Sequence, residues 1–85
     1  MASIPPFDAE HGEPAYLYVR MADHLEARIN AGDIPPGARL PGERDLAAEY
    51  QVAIGTARRA VEELRQRGLA VTLPAKGTFI KSPGK

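Results

Sequence analysis

The sequence predicts an α+β fold in which three helices are followed by a two-stranded β-hairpin. Two observations carry this prediction. Apolar residues recur three and four positions apart in three separate segments, which is the period of a helix with one buried face. After the third segment the pattern changes to short alternating runs rich in β-forming residues, which is typical of two paired strands.

The first helix is predicted to begin near Ala15 and to end at Gly32. Pro14 suits a helix start, where its missing N–H costs nothing, and Gly32 suits a C-terminal cap. The next segment, GDIPPGARLPG, is expected to be an ordered loop, because Pro35 and Pro36 cannot continue a helix. The apolar stripe of this helix comprises Tyr18, Met21, Ala22, Leu25 and Ile29.

The second helix is predicted over residues 43–50, and the third from about Gly55 to Arg67, with Gly68 closing it. Two helices joined by about four residues match a helix-turn-helix unit. The second helix has an apolar face of Leu46, Ala47 and Tyr50. The buried stripe of the third helix is Ala57, Ala60, Val61 and Leu64.

The hairpin is predicted from LAVTL, residues 69–73, and GTFIK, residues 77–81, joined by the tight turn PAK. A helix-turn-helix followed by such a hairpin is a winged helix-turn-helix, and the hairpin is its wing. The predicted fold is therefore three helices with a C-terminal two-stranded wing.

One hydrophobic core is expected to unite these elements. Tyr50 is expected to pack its ring and to direct its hydroxyl outward, while His11 and His24 are expected at the surface. The predicted core comprises Leu25, Ile29, Leu40, Leu46, Val52, Val61, Leu64, Leu69, Val71 and Phe79.

Composition narrows the classes of function. The 85 residues contain no cysteine, which excludes disulfides and thiolate metal sites and favours the cytoplasm. Neither histidine has a spacing that suggests catalysis or a metal, so we expect no enzyme, no metal and no cofactor. No apolar run reaches membrane-spanning length and no signal peptide is recognisable, so no membrane partner is expected.

The formal net charge is zero, but the charges are segregated along the chain. Residues 1–33 carry two bases and six acids, a balance of −4, and residues 34–85 carry nine bases and five acids, a balance of +4. Such an asymmetry hints that the second half of the chain faces a polyanion.

The third helix carries side chains suited to nucleic acid. Gly55 and Arg59 lie opposite its buried stripe, and Arg58 flanks that stripe near the N-terminal end. Arg58 or Arg59 could hold a guanine bidentately or grip a phosphate, and Gly55 leaves room for a duplex. The alternative is a solvated face on which both arginines pair with the glutamates one turn later. Arg65 and Arg67 suit the helix dipole in the last turn.

The chain resembles the DNA-binding domain of the GntR family of bacterial transcription regulators, and within it the HutC-like branch. The resemblance covers about residues 15–81 and rests on PPGARLPGERDLAAEYQV, TARRAVEELRQRGLAV and KGTFI. It implies sequence-specific binding of double-stranded operator DNA, with repression as the expected outcome.

The resemblance also implies roles for particular residues. The arginine of the Glu-Arg pair contacts DNA near the start of the second helix; here it is Arg44. The threonine and arginine of the third helix contact DNA; here they are Thr56 and Arg58. The wing reaches the minor groove or its phosphates, and its residues here are Ala75, Lys76, Gly77 and Thr78. The alternative for Arg44 is a salt bridge to Glu43, Asp45 or Glu49.

Three departures from the family pattern bear on function. Gly42 stands where a serine usually caps the second helix, and Ala53 stands where a serine usually caps the third. Ile54 replaces an arginine that commonly reads DNA, so the operator is expected to differ from the common guanine-bearing half-site or to be read more weakly. Ile54 could touch a thymine methyl group or could pack beneath the turn. In the wing, Pro74 and Ala75 replace the more usual glycine at the tip.

We expect a flexible arm over residues 1–13, a DNA-binding domain over residues 14–81, and a tail or linker over residues 82–85. GntR-type regulators normally carry a C-terminal domain that binds an effector and dimerises. The chain is therefore either an excised domain or a natural single-domain regulator, and a homodimer on a pseudo-palindromic operator is expected. Two alternatives remain, a winged helix that binds another protein and a plasmid or phage regulator without an effector.

Overall fold

The structure is a computed structural model that describes residues 4–9 and 16–81. Its elements are α1 (Leu17–Asn30), α2 (Glu43–Tyr50), α3 (Ile54–Gln66), β1 (Ala70–Leu73) and β2 (Gly77–Ile80). The two strands pair antiparallel, with Val71 opposite Phe79. The predicted three helices and C-terminal hairpin are thus confirmed, whereas the predicted helix start at Pro14 and the tail after residue 81 lie outside the described residues.

The turn between α2 and α3 is tight because Gln51 adopts the left-handed region, with φ at 59°. The backbone N–H of Val52 then donates to the carbonyl oxygen of Ala47 at 3.0 Å, which closes the end of α2. α3 begins three residues after Gln51. This is the short connection that the helix-turn-helix prediction required.

The core lies between the three helices and the inner face of the hairpin. Most of the predicted core is buried or partly buried, but Val71 is 38% exposed, and for that residue the prediction was wrong. The reason is strand register. Ala70 and Ile80 pair opposite each other and turn inward, so Val71 and its partner Phe79 lie on the other face, where Phe79 is half-buried.

A single β-bridge joins the loop before α2 to β2 of the wing. Arg39 forms an antiparallel bridge with Phe79. On either side of this bridge, the Leu40 N–H donates to the Thr78 carbonyl at 2.8 Å, and the Ile80 N–H donates to the Ala38 carbonyl at 2.9 Å. The loop predicted to be ordered is therefore held by backbone hydrogen bonds to the wing.

Arg67 fastens α3 to α1. Its guanidinium lies 2.9 Å from Asp23, 2.8 Å from Glu26 and 3.0 Å from Glu63. Burial lowers the pKa of Arg67, but hydrogen bonds to these three carboxylates outweigh it, so its pKa lies above the usual value. This arginine has a structural role, in keeping with the helix-terminus interpretation of its position.

Residues 4–9 lie against α1 and the end of α2. His24 Nε2 is 2.7 Å from the Pro5 carbonyl oxygen, and His24 Nδ1 is 2.7 Å from the Tyr50 hydroxyl. Phe7 packs its ring 5.1 Å from that of Tyr50. The expected outward hydroxyl of Tyr50 was wrong, because this hydroxyl also accepts a hydrogen bond from Arg28. His24 was predicted to lie at the surface, and that prediction did not include its two hydrogen bonds, to Pro5 and Tyr50.

Burial of the Tyr50 ring raises the pKa of its hydroxyl, although Arg28 opposes the shift. The flexibility of residues 1–13 stays a prediction, and His11 lies outside the described residues.

Both helices of the helix-turn-helix begin without a side-chain cap. The N-cap positions are occupied by Gly42 for α2 and Ala53 for α3, each with extended backbone angles. Serine accepts a hydrogen bond from the first-turn N–H groups, which alanine cannot do, whereas glycine is nearly as good a cap as serine.

We therefore expect Ala53→Ser to raise the free energy of unfolding by about 1 kcal/mol, and Gly42→Ser to raise it by only a few tenths. Denaturant unfolding of both variants beside the parent chain measures the difference. Equal effects of the two substitutions would contradict this account of the helix starts.

Candidate nucleic-acid interface

The outer face of α3 is polar and open to solvent. Gly55, Arg58, Arg59, Glu62 and Gln66 are exposed, and Thr56 is half-buried beside them. The opposite side buries Ala57, Ala60, Val61 and Leu64 as predicted. α3 thus presents a polar face of the kind that can enter a groove.

The N-cap residue of α3, Ala53, supplies no side-chain acceptor to the backbone N–H groups of the first turn. Ile54 is the first residue of the helix, and it is 38% exposed. A side chain packed beneath the turn would be more deeply buried than this, so the burial favours the outward reading of Ile54. Free N–H groups at a helix start also suit an anionic ligand.

Gly55 follows Ile54, and nothing in the described residues requires a glycine there. An ideal Cβ at this position would meet no heavy atom within 4 Å. Glycine weakens a helix relative to alanine. The described part of the fold therefore does not explain the glycine at this position. Because it has no side chain, Gly55 leaves room for a ligand to approach the helix closely.

Arg58 reaches across to the start of α2 rather than along its own helix. Its Nε lies 3.1 Å from a carboxylate oxygen of Glu43, and the two side chains are 61% and 46% exposed. The expected pairing of Arg58 with Glu62, one turn later, is not the contact that forms. Such an exposed pair contributes at most about 1 kcal/mol, so Arg58 can exchange Glu43 for another anion.

Arg59 leans toward α1. Its guanidinium carbon lies 4.0 Å from the ring centroid of Tyr18, which is a cation–π contact. The expected partner Glu63 is instead bonded to Arg67. The helical period predicts Tyr18 in the buried stripe of α1, and no local pattern predicts this contact, because it joins residues far apart in the chain.

Arg44 lies in the first turn of α2 and is exposed. Its predicted alternative was a salt bridge with a neighbouring acid. Within residues 4–9 and 16–81, Arg44 has no ion pair; Glu43 pairs with Arg58 and Glu49 with Arg28. The salt-bridge alternative for Arg44 does not form, and its charge is available for a ligand.

The wing turn is closed by a hydrogen bond from the Lys76 N–H to the Leu73 carbonyl at 3.0 Å. Ala75 at the tip has a φ of 64°, a left-handed conformation uncommon for a residue with a Cβ. Lys76, beside Ala75, is exposed. The hydroxyl oxygens of Thr78 in β2 and Thr72 in β1 lie 2.9 Å apart, within hydrogen-bond distance. Arg65 of α3 donates to Thr72 at 3.1 Å and so connects the helix to the wing.

The other chemical features of the described part of the chain lie elsewhere. A cavity of about 490 Å³ is lined by residues 4–7, α1 and the end of α2, and it shares no residue with the predicted DNA-binding set. No group of three or more metal-ligating side chains occurs among the described residues. None of the described helices is long and apolar enough to cross a membrane.

Three helices with the hairpin after the second helix of the turn define a winged helix-turn-helix. The chain belongs to the GntR family, since the family model for bacterial regulatory proteins, gntR family, matches residues 17–80. The resemblance stated from the sequence is thereby confirmed.

Known proteins similar to this chain fall in the same family. The histidine utilization repressor of Pseudomonas aeruginosa is 35% identical over 79 residues, which are 92% of this chain and 32% of that protein. YtrA from Sulfolobus acidocaldarius, a GntR-family transcription factor, is 30% identical with a TM-score of 0.79, over 96% of this chain and 84% of that one.

A third similar protein was solved with DNA. The DNA-binding domain of AraR in complex with operator ORE1 is 29% identical, with a TM-score of 0.71, over 88% of this chain and 89% of that chain. The chain spans only 28–32% of the length of several of its curated relatives.

Proposed function

We propose that this chain binds double-stranded operator DNA in a sequence-specific manner, as the DNA-binding part of a bacterial transcription repressor. The proposal rests on the first turn of α3. This turn has no side-chain cap and is exposed, and it bears a glycine that the described part of the fold does not require. Among the described residues, Arg58 beside it is held by one exposed ion pair, with Glu43.

In the proposed complex α3 enters the major groove. Arg58 contacts guanine or phosphate, Thr56 contacts the duplex nearby, and Gly55 admits the DNA backbone. Ile54 meets a thymine methyl group, as its exposure allows. Arg59 stays over Tyr18 and reaches a phosphate from there.

Two further elements contact the duplex on either side of α3. Arg44 binds a phosphate from the first turn of α2, since it has no ion pair in the described part of the chain. The wing, with Ala75, Lys76, Gly77 and Thr78, meets the minor groove or its phosphates. The AraR domain, which shares this fold, was solved on its operator, and this supports the same mode of docking here.

One protomer covers one half-site, so tight binding requires two protomers on a pseudo-palindrome. A homodimer that forms on DNA or through an effector-binding domain meets this need. Several relatives are about three times as long as this chain, which supports the second route. Action on chromosomal DNA corresponds to a cytoplasmic protein of the bacterial nucleoid, with no metal and no cofactor.

The alternative of a protein-binding winged helix expects an apolar patch on α3. The exposed face of α3 is polar except for Ile54, which disfavours that alternative. The two functions also differ in salt dependence, because phosphate contacts release counterions and protein contacts of neutral groups do not.

The test is an NMR titration of the labelled chain with a mixed-sequence duplex and with a duplex from its own promoter, each at several salt concentrations. We expect shifts at Arg44, at residues 54–59 and at residues 75–78, and weaker binding at higher salt. Contacts from Arg44, Arg58, Arg59 and Lys76 to phosphates contribute about −3.6 to the slope of log K against log salt, at about 0.9 for each contact.

Tighter binding to the promoter duplex supports sequence-specific recognition. Equal binding to both duplexes would leave DNA binding in place and reject the specific operator. If neither duplex moves the amides of α3 and the wing, the proposed function is wrong and the winged helix serves another partner.

A further inference from the structure

Arg39 lies beside the wing, although it comes from the loop before α2. Its Nε donates to the Lys76 carbonyl oxygen at 3.0 Å. The antiparallel bridge between Arg39 and Phe79 places both side chains on the outer face of the wing sheet. Arg39 and Lys76 are 37 positions apart, and nothing in the sequence pattern connects them.

The wing backbone has a space fitted to this guanidinium. Gly77 has a φ of 119°, and an ideal Cβ there would lie 2.6 Å from Arg39 Nε. The atoms Cζ and Nη2 of Arg39 would lie 3.4 Å from the same Cβ. Arg39 thus lies directly over the glycine, in a position that any larger residue at 77 would obstruct.

The terminal nitrogens of Arg39 have no acidic partner. Arg39 is exposed, and among the described residues no carboxylate forms an ion pair with it. Its Nε is fixed on Lys76, so the two Nη groups are oriented at little further entropic cost. Planar guanidinium groups held in this way bind a phosphate through two parallel hydrogen bonds.

We propose that Arg39 is a phosphate-binding residue of the wing, which acts together with Lys76 and is held in place by the close approach to Gly77. This proposal rests on the proposed function, because it assumes that the wing meets DNA. Lys76 supplies one charge at the tip, and Arg39 supplies a second, pre-oriented charge on the outer face of the same hairpin.

The purely structural reading is that Arg39 only braces the turn. The two readings separate in Arg39→Gln, since Gln Nε2 stands the same number of bonds from the backbone as Arg Nε. It can therefore still donate to the Lys76 carbonyl, but it has no charge and no Nη groups. Arg39→Lys keeps the charge without the fork.

The experiment measures the affinity of the chain for a mixed-sequence duplex of about two helical turns, over a range of salt concentrations. The variants are Arg39→Gln, Arg39→Lys and the control Lys81→Gln. Lys81 is an exposed cation just after β2, its N–H is bonded to Leu69, and it has no contact with the wing tip. Amide spectra of residues 73–80 report on the fold of the wing in each variant.

We expect Arg39→Gln to lower the magnitude of the salt slope by about 0.9, with wing amides near their parent positions. A fourfold rise in salt then narrows the gap in affinity between parent and variant by about 3.5-fold. Arg39→Lys is expected to restore most of the slope. Lys81→Gln is expected to change it by much less than Arg39→Gln.

An unchanged slope in Arg39→Gln overturns the proposal and leaves Arg39 as a brace. If Lys81→Gln reduces the salt slope as much as Arg39→Gln does, the proposal is also overturned, because the reduction then reflects the net charge of the chain. If the amide spectra show that the hairpin of Arg39→Gln is disordered, the test depends on Arg39→Lys. A salt slope for Arg39→Lys that is smaller than that of the parent by a full contact then counts against the proposal. If the parent protein itself shows no salt-dependent binding to DNA, the proposed function is wrong. That result differs from one in which the parent binds and Arg39→Gln has the same salt slope, which rejects only the role of Arg39.

Discussion

Gly77→Ala is expected to be one of the most damaging single-methyl additions in the described part of the chain. The new Cβ must occupy backbone with a φ of 119°, where side chains are rarely tolerated, and it must displace Arg39 from its place over the turn. The backbone strain costs roughly 1–3 kcal/mol. Loss of the hydrogen bond from Arg39 to Lys76 adds about 1 kcal/mol.

Gly68→Ala is a control for the positive φ without the contact. Gly68 also has a positive φ, of 80°, but an ideal Cβ there meets nothing within 4 Å. The left-handed conformation alone costs about 1–2 kcal/mol. The excess loss in Gly77→Ala therefore combines the contact with Arg39 and the greater strain of a side chain at a φ of 119°.

Thermal unfolding measures the total effect, and hydrogen exchange at the Leu40 N–H, which donates to Thr78, reports whether the loss lies in the wing. We expect faster exchange there in Gly77→Ala and little change in Gly68→Ala. Equal losses of stability in the two variants, with unchanged exchange in the wing, would falsify this view of Gly77.

The order and type of the elements could be predicted from the sequence because they depend on local pattern. The stripe of α3 and the boundaries of α2 follow from helical period and from Tyr50 ending an apolar face. The two strands were also predicted from local pattern, but Val71 was predicted on the inner face and lies on the outer one. A run of apolar residues in a short hairpin does not reveal which face is inward until Ala70 is seen opposite Ile80.

The partners of the charged residues could not be predicted in the same way. Local spacing favoured pairs within α3, but Arg58 reaches Glu43 and Arg59 reaches Tyr18. An exposed pair at one helical turn is worth only about 0.2–0.5 kcal/mol, so packing between helices decides which pair forms. The position of Arg39 was missed for a related reason, since it depends on contacts with Lys76 and Gly77 of the wing, far along the chain.

Two deviations in the sequence meet at the start of α3. Ala53 leaves the helix uncapped, and Ile54 occupies the place where the family pattern has an arginine. Both positions are exposed, so the fold does not require either apolar residue. We therefore expect these residues to set which DNA is recognised rather than to support the core.

Ile54→Arg is expected to change base preference toward guanine in the half-site. A bidentate contact to guanine contributes about 1–3 kcal/mol of discrimination, which is roughly 5- to 150-fold in relative affinity. A cation at a helix N-terminus costs about 0.3–1 kcal/mol of stability through the helix dipole. The variant should therefore be slightly less stable than the parent chain while it binds guanine-bearing duplexes more tightly.

Selection of bound duplexes from a pool with a randomised half-site, followed by affinity measurement, shows whether guanine is enriched at one position. Gln66→Arg is the matched control, because it adds the same side chain to an exposed position at the other end of α3. That control should raise affinity for all duplexes alike through its charge. If Ile54→Arg also strengthens binding without any base preference, then Ile54 does not face the bases, and the start of α3 contacts only the phosphates.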